Sequence, residues 1–264
     1  MVTTESASGT TTKTYTYIYD AAGNILSEKK NGTTVNTYTY GDTGWKDLLT
    51  EFNGTAIDYD KSGNPTNFYN GAKTYADLTW ENGRQLKSLK VGSTDVSYGY
   101  DGSGIRTTKV ADGFTYEYVT QSGRLVYETA TGATAAYVMY FAYDESGRPF
   151  SIKFSKDGGA SFSTYYYVLN LQGDVVKIVA QGGTVVGSYE YDAWGRITSM
   201  VNADGRELAD LTANTASTAI AYWNPLTYRG YFDTYLFFLF QIILHNLYFT
   251  IERGQSLGCP RSII

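Results

Sequence analysis

The sequence predicts an all-β fold, an array of stacked β-hairpins that forms a curved or spiralling antiparallel sheet. Three observations predict it. A motif of Tyr, Asp, two variable residues and Gly recurs along most of the chain, and its marker glycines, from Gly23 to Gly195, have a mean period of about 21 to 22 residues, as in a stacked repeat. Before the markers, aromatic and polar residues alternate. Further Gly-containing turns lie between the markers.

The copies of the motif differ in how complete they are. Five keep the Tyr, the Asp and the Gly: Tyr19, Asp20 and Gly23; Tyr59, Asp60 and Gly63; Tyr100, Asp101 and Gly104; Tyr143, Asp144 and Gly147; and Tyr191, Asp192 and Gly195. Weaker copies supply Gly44, Gly83, Gly123 and Gly173 as markers. We interpret all of these residues as structural residues of repeat turns, because a residue that recurs once in every hairpin serves the hairpin.

Each part of the motif has a physical role in a hairpin. The alternating run at residues 14–19 is typical of a strand with one aromatic face. The Asp that follows can bind backbone N–H groups two residues on, and the Gly supplies a positive φ, so the segment reverses the chain. Second turns such as Asn31-Gly32 and Asp112-Gly113 then close the repeat. Because one hairpin cannot bury its aromatic face, we expect neighbouring hairpins to join into one continuous sheet.

These motifs resemble the YD-repeat, or Rhs-repeat, family of bacterial Rhs and wall-associated proteins, toxin-complex C components and animal teneurins. A second motif near the end of the chain resembles the entry to the Rhs repeat-associated core region. It consists of Asn224, Pro225, Tyr228, Arg229 and Gly230. The resemblance covers roughly residues 14 to 234 and implies four segments: a Thr/Ser-rich leader at 1–13, YD repeats at 14–200, the start of the core at 201–234, and an aberrant apolar tail at 235–264.

The composition excludes several classes of site. A net charge of −5 and the lack of any Lys or Arg run argue against a nucleic-acid partner. The single His, His245, and the single Cys, Cys259, cannot build a catalytic triad or a zinc site in the repeats. We therefore expect no catalytic residue, no metal and no cofactor. In some Rhs-like proteins the core region cleaves itself, but Asp204, Asp210 and Asp233 match no element of that activity.

The tail after Tyr231 has a different character. Residues 235–249 are nearly all large and apolar, without Gly or charge. Three interpretations remain open: a reading frame lost near Asp233, a buried strand or helix that closes the sheet, or a membrane segment. The third is weakened by Gln241, His245 and Asn246, because each would need a partner in lipid.

The family resemblance implies a non-enzymatic structural role. We expect a fragment of an Rhs-type shell that encloses or displays a C-terminal toxin or effector of a secreted or cell-surface bacterial protein. The partners would be that effector, fused or encapsulated, and further YD repeats of a longer chain. The segment at residues 1–10 has no features of a signal peptide, so the localisation rests on the resemblance alone. The alternative is an adhesion or carbohydrate-binding module in which Trp45, Trp80 and Trp194 stack on cell-surface glycans.

Overall fold

The computed structural model describes residues 2–6, 12–69, 73–191, 197–208 and 219–228, with side chains from Thr14 onward. The chain divides into two compact units. The first contains the described residues up to Val96, and the second contains those from Ser97 onward. The predictions for Asp192, Gly195, Arg229, Gly230 and the apolar tail fall outside the described residues.

The first unit consists of antiparallel strands joined by short turns. Strands β1 to β6 form a sheet in chain order, and β7 to β9 pair in chain order in a different sheet. The strands are β1 (Val2–Ser6), β2 (Thr12–Tyr19), β3 (Ile25–Lys30), β4 (Thr33–Thr39), β5 (Glu51–Phe52), β6 (Thr55–Ala56), β7 (Phe68–Tyr69), β8 (Thr74–Glu81) and β9 (Gln85–Val91). Thus β1 falls within the segment named as a leader, and its backbone pairs with β2.

The second unit repeats this arrangement with longer strands. The boundary between the units falls within β10. Strands β10 to β19 follow one another in the sheet in chain order, and a single helical turn, α1, comes after them. The elements are β10 (Thr94–Tyr100), β11 (Arg106–Ala111), β12 (Phe114–Gln121), β13 (Arg124–Thr131), β14 (Ala136–Tyr143), β15 (Pro149–Ser155), β16 (Ser163–Leu169), β17 (Val175–Ala180), β18 (Val185–Tyr191), β19 (Ile197–Asn202) and α1 (Ile220–Trp223). The predicted all-β array of antiparallel hairpins is confirmed.

A shift in strand register accompanies the motif. In five hairpins the register changes immediately before the residue at the motif's Tyr position, because the returning strand holds one extra residue opposite this step. Such a β-bulge bends the strand and increases its twist. The five shifts fall at Ile18/Tyr19, Gly99/Tyr100, Ala142/Tyr143, Val168/Leu169 and Glu190/Tyr191. The bulge therefore belongs to the repeat, and it interrupts the strict alternation of the sequence.

The core of each unit lies on one face of its strands. In the second unit Met139, Ile152, Val175 and Ile178 are completely buried there, together with residues of α1. The first unit buries Phe52, Phe68, Leu86 and Leu89, and the rings of Phe52 and Phe68 stack 5.9 Å apart. We call the face that carries Met139 and Ile152 the inner face of the second unit, and the opposite face its outer face.

The expectation of one continuous sheet is wrong between β6 and β7. The two strands belong to different sheets, and the segment between them has only an isolated bridge from Tyr59 to Pro65. Proline at this position does not account for the break, because Pro149 occupies the equivalent position and begins β15. Within the described residues no helix is long and apolar enough to cross a membrane.

Candidate functional site: the hairpin turns and a docked segment

The motif's Asp organises the turn through one carboxylate oxygen. In four copies its Oδ1 accepts hydrogen bonds from the backbone N–H groups two and four residues later. The N···O distances are 2.9 and 2.8 Å for Asp20, 2.8 and 2.9 Å for Asp60, 2.8 and 3.0 Å for Asp101, and 2.9 and 2.9 Å for Asp144. Two donors at the tip of the hairpin are satisfied in this way, as in other Asx turns.

Backbone hydrogen bonds and the glycine complete the same turn. The N–H of Asp144 donates to the carbonyl of Arg148 at 2.9 Å, and the N–H of Gly147 donates back to the carbonyl of Asp144 at 2.8 Å. The glycine has a positive φ in each of the four copies: Gly23 at 94°, Gly63 at 77°, Gly104 at 83° and Gly147 at 78°. Any other residue would be strained there.

The residue after the glycine contributes its side chain. The amides of Asn24 and Asn64 donate to the second carboxylate oxygen, Oδ2, of Asp20 and Asp60 at 2.8 and 2.9 Å. In a third copy the guanidinium of Arg148 takes this role with Asp144, also at 2.9 Å. The preference of the motif for Asn or Arg after Gly thus has a direct cause, because both side chains donate to a carboxylate.

Because of these hydrogen bonds, the stability of the fold depends on pH. The side-chain amide of Asn64 lowers the pKa of Asp60, and the backbone N–H of Arg148 lowers that of Asp144. Their stabilising contribution is present above the unfolded-state pKa of about 3.9 and is lost as pH falls through the lowered folded-state value. We expect the urea midpoint to fall between pH 5 and pH 2.5, and to fall less in D60N/D144N. An equal fall in both proteins would contradict this assignment.

Asparagine is a suitable replacement because the chain already uses it. Asn170 Oδ1 accepts from the N–H groups of Gln172 and Asp174 at 3.0 and 2.9 Å, and its amide donates to Asp174 Oδ2 at 2.6 Å. Compared with Asp60 and Asn64, the carboxylate and the amide have exchanged positions in the turn, and the hydrogen bond between them is kept. The copy around Gly173, which in sequence keeps only the turn glycine, therefore retains the complete turn.

The structure contains one further copy of the turn that was not predicted from the sequence. Asn202 Oδ1 accepts from the N–H groups of Asp204 and Arg206, both at 3.0 Å, and Gly205 has a φ of 73°. The signal was available as Asn-x-x-Gly-Arg, but no Tyr precedes it. The repeat geometry consequently continues past residue 200.

The other weak copies form different turns. Asn82 and Gly83 both have positive φ, as do Ser122 and Gly123, so these two copies are two-residue hairpin turns. At the earliest weak copy, Asp42 accepts from the N–H groups two and three residues later. Gly44 itself is not among the described residues with positive φ. The marker glycines therefore lie in several different types of turn, although their spacing is regular.

The motif's Tyr has a second role besides packing. Its hydroxyl donates to a backbone carbonyl in the preceding repeat in three copies: Tyr59 to Leu49 at 2.5 Å, Tyr143 to Leu125 at 2.7 Å, and Tyr191 to Val175 at 2.6 Å. Tyr19 and Tyr100 are half-buried at the ends of β2 and β10. Burial raises the pKa of Tyr143 to about 12, so its hydroxyl remains a donor at neutral pH.

Replacing Tyr143 with phenylalanine tests this inter-repeat contact. Y143F keeps the ring and leaves the Leu125 carbonyl without its donor, so we expect a loss of about 1 kcal/mol in the free energy of unfolding. Y127F is the matched control, because the Tyr127 ring lies on the outer face and its hydroxyl bonds to none of the described residues. Urea unfolding of the two variants measures the difference. Equal losses would show that the hydroxyl of Tyr143 adds nothing specific.

Two polar side chains also connect successive turns. The amide of Asn64 donates to the carbonyl of Gly83 at 2.8 Å, and the guanidinium of Arg124 donates to the carbonyl of Gly147 at 3.2 Å. Each donor follows one marker glycine, and each acceptor is the next marker. The turns are therefore linked along one end of the hairpin array within each unit.

The core motif places a buried amide against the inner face of the second unit. Asn224 Oδ1 accepts from the Tyr167 hydroxyl at 2.8 Å, and its Nδ2 donates to the Tyr189 hydroxyl at 3.1 Å and to the Leu226 carbonyl at 2.6 Å. The Tyr189 hydroxyl in turn donates to the Ala221 carbonyl at 2.9 Å. The segment 219–228, which we call the docked segment, is thus held by two tyrosine hydroxyls.

Backbone and aromatic contacts extend this docking. The N–H of Val175 donates to the carbonyl of Thr227 at 2.9 Å, and the ring of Trp223 stacks on Tyr137 at 3.9 Å. Pro225 is buried, and the ring of Tyr228 lies 6.1 Å from that of Tyr191. The inner face therefore binds a length of polypeptide that is not part of the sheet.

The tryptophans expected to bind glycans have partners within the chain. The indole N–H of Trp80 donates to the carbonyl of Pro65 at 2.8 Å. Trp45 lies against the turn at Gly63, where an added Cβ would come within 2.8 Å of its ring. Trp194 lies outside the described residues. Among the residues described, no three or more His, Cys, Asp or Glu side chains form a group that could hold a metal ion.

Comparison with known proteins gives matches to one family. The RHS Repeat family model matches residues 170–207. The tRNA3(Ser)-specific nuclease WapA of Bacillus spizizenii is 32% identical over 193 residues, which cover 71% of this chain and 8% of that protein. The tRNA nuclease WapA of Bacillus subtilis strain 168 matches with the same identity and coverage. The chain therefore spans less than a tenth of the length of these relatives.

Two solved structures are also similar at low sequence identity. One is the Tc holotoxin pore of Photorhabdus luminescens, with a TM-score of 0.43, 15% identity and coverage of 83% of this chain and 14% of that chain. The other is the crystal structure of TcdB2-TccC3, with a TM-score of 0.43, 14% identity and coverage of 83% and 15%.

Proposed function

Because the chain belongs to the Rhs-repeat, or YD-repeat, family, we propose that it is a non-enzymatic structural part of a hairpin shell that encloses or displays a C-terminal effector polypeptide. The observation that supports this role most directly is the docked segment. Tyr167 and Tyr189 bind a stretch of chain on the inner face through their hydroxyls. An aromatic face with hydroxyl groups suits this task, because it offers apolar area together with hydrogen-bonding groups.

The length of the relatives supports a role as one portion of a larger assembly. More than nine-tenths of each nuclease lies outside the match. We propose that the protein containing this chain has further YD repeats and a separate effector, and that the repeats contribute containment. A secreted or cell-surface location fits this role. Neither nucleic acid nor a cofactor is required by it.

Site-specific photocrosslinking tests the containment role. We would place benzoylphenylalanine at Tyr116, which is half-buried on the inner face, and separately at Val119, which is half-exposed on the outer face. The probe is reduced, carboxymethylated ribonuclease A, a permanently unfolded polypeptide, and folded ribonuclease A is the control. We expect capture of the unfolded probe from position 116 only. Equal capture from both positions, or none, would overturn the proposal.

A glycan-binding surface is the second candidate, and one observation favours it. The exposed rings of Tyr140 and Phe162 lie 5.7 Å apart on the outer face and, with Lys153, line an open pocket of about 390 Å³. A glycan array tests this candidate, with Y140A as the variant expected to lose binding and W80A as the comparison. Failure of the native chain to bind any glycan would eliminate it.

A further inference from the structure

The side chain of Glu128 is buried on the inner face of the second unit. It lies on β13 opposite Tyr118 of β12 and Met139 of β14, and only 5% of the residue is exposed. Its Oε2 is fully buried and accepts no hydrogen bond from any of the residues that the structure describes. Nothing in the proposed shell role accounts for a carboxyl group at this position.

Equivalent positions in other hairpins show what the fold requires there. Glu128 is the third residue after Leu125, the first buried residue of the returning strand. The same position holds a buried Leu89, Ile152 or Ile178 in three other repeats. An aliphatic side chain therefore satisfies the packing. A buried carboxyl group costs free energy that an aliphatic side chain does not.

A second buried glutamate, Glu28, provides a comparison for Glu128. Glu28 occupies the equivalent position in the first unit, opposite Tyr17, and is also buried. Its Oε2 accepts a hydrogen bond from the amide of Asn36 at 2.6 Å. No amide does the same for Glu128, so the two carboxyl groups have different environments.

Charged and titratable groups on the same sheet act on Glu128 or on the tyrosine opposite it. Lys109 of β11 is buried, with its ammonium 3.8 Å from the ring centroid of Tyr116, and the guanidinium of Arg106 lies 4.4 Å from the ring of Tyr98. Tyr118 of β12 lies directly opposite Glu128, and burial, together with nearby ionisable groups that include Glu128, raises the pKa of Tyr118 and of Tyr167 on β16. Burial raises the pKa of Glu128 to about 8, and the charge of Lys109 only partly opposes this. Burial dominates because desolvation penalises the charged form.

We propose that Glu128 is a pH-dependent switch on the inner face of β11 to β13, which keeps these strands closed while its carboxyl group is protonated and favours their opening once the proton is lost. The direction of this pH dependence follows from the linkage between proton binding and folding. An acid whose folded pKa lies above its unfolded value of about 4.3 stabilises the fold fully below that value and loses this contribution as pH rises toward the folded value. Over that window the opening equilibrium should rise by about tenfold per pH unit.

Native-state amide hydrogen exchange of the full chain tests the switch. After correction for intrinsic exchange rates, we expect the opening constant of the β12 and β13 amides to rise steeply between about pH 5 and pH 8 and to level off above that. In E128Q the opening constant should be flat over the same range. E117Q is the matched control, because Glu117 is an exposed carboxylate on β12, and it should keep the native dependence.

A second variant separates the switch from an ordinary ion pair. K109M removes the charge that opposes the effect of burial, so the levelling-off should move to higher pH. If Glu128 were instead a permanently charged partner of Lys109, the native protein would show no dependence between pH 5 and pH 8, and K109M would destabilise it at every pH in that range. Either result would overturn the proposal, as would a pH dependence retained in E128Q. Melting temperatures across the same pH range report the effect even where a variant folds less well.

Discussion

Replacement of Asn224 with alanine is expected to release the docked segment from the inner face. The substitution leaves the Tyr167 hydroxyl and the Leu226 carbonyl without partners and deprives Tyr189 of a donor. Since each buried polar group left unsatisfied costs about 1 to 3 kcal/mol, we expect a loss of about 2 to 4 kcal/mol in the free energy of unfolding. Protease sensitivity within residues 219–228 should rise at the same time.

A double-mutant cycle decides whether the amide acts through the tyrosines. Y189F alone removes the hydroxyl that connects Asn224 with the carbonyl of Ala221. Because the two residues share a hydrogen bond, the effect of the double variant should be smaller than the sum of the single effects. Additive effects, or a docked segment that stays protected in N224A, would contradict the geometry described above.

The hairpin array could be predicted from the sequence because its signals are local. Alternation, Asp and Gly each act within a few residues, and the four complete D-x-x-G turns that the structure describes have the backbone that the motif predicts. The same reasoning missed the turn at Asn202, since it required a Tyr before the turn. It also treated Gly44, Gly83 and Gly173 as equivalent, although only the last of these has the complete turn.

The contacts between repeats could not be predicted because they depend on register. The bulge on the returning strand, opposite the motif's Tyr, shifts the pairing by one residue, and a one-residue shift changes which groups face each other across strands. The hydrogen bond from Tyr143 to Leu125 joins residues 18 positions apart, and that from Tyr167 to Asn224 spans 57. Likewise, no local pattern distinguishes the buried Glu128 from a solvent-facing glutamate.

Truncation of Ile152 is expected to have the other large effect. Ile152 lies at the centre of the inner face, is completely buried, and pairs with Phe141 on one side and Tyr165 on the other. I152A would leave a cavity among side chains held by the sheet backbone, which cannot close around it. Substitutions of this kind cost about 2 to 5 kcal/mol, and we expect a value in the upper half of that range.

K153A is the matched control for this truncation, since Lys153 is the adjacent residue of β15 and its exposed side chain lies on the outer face. A surface change of this kind should alter the free energy of unfolding by less than about 0.5 kcal/mol. Urea unfolding of both variants, followed by Trp fluorescence, gives the comparison. The inner face is a core only if the two neighbouring positions differ in this way, and similar values for I152A and K153A would require the assignment of inner and outer faces to be abandoned.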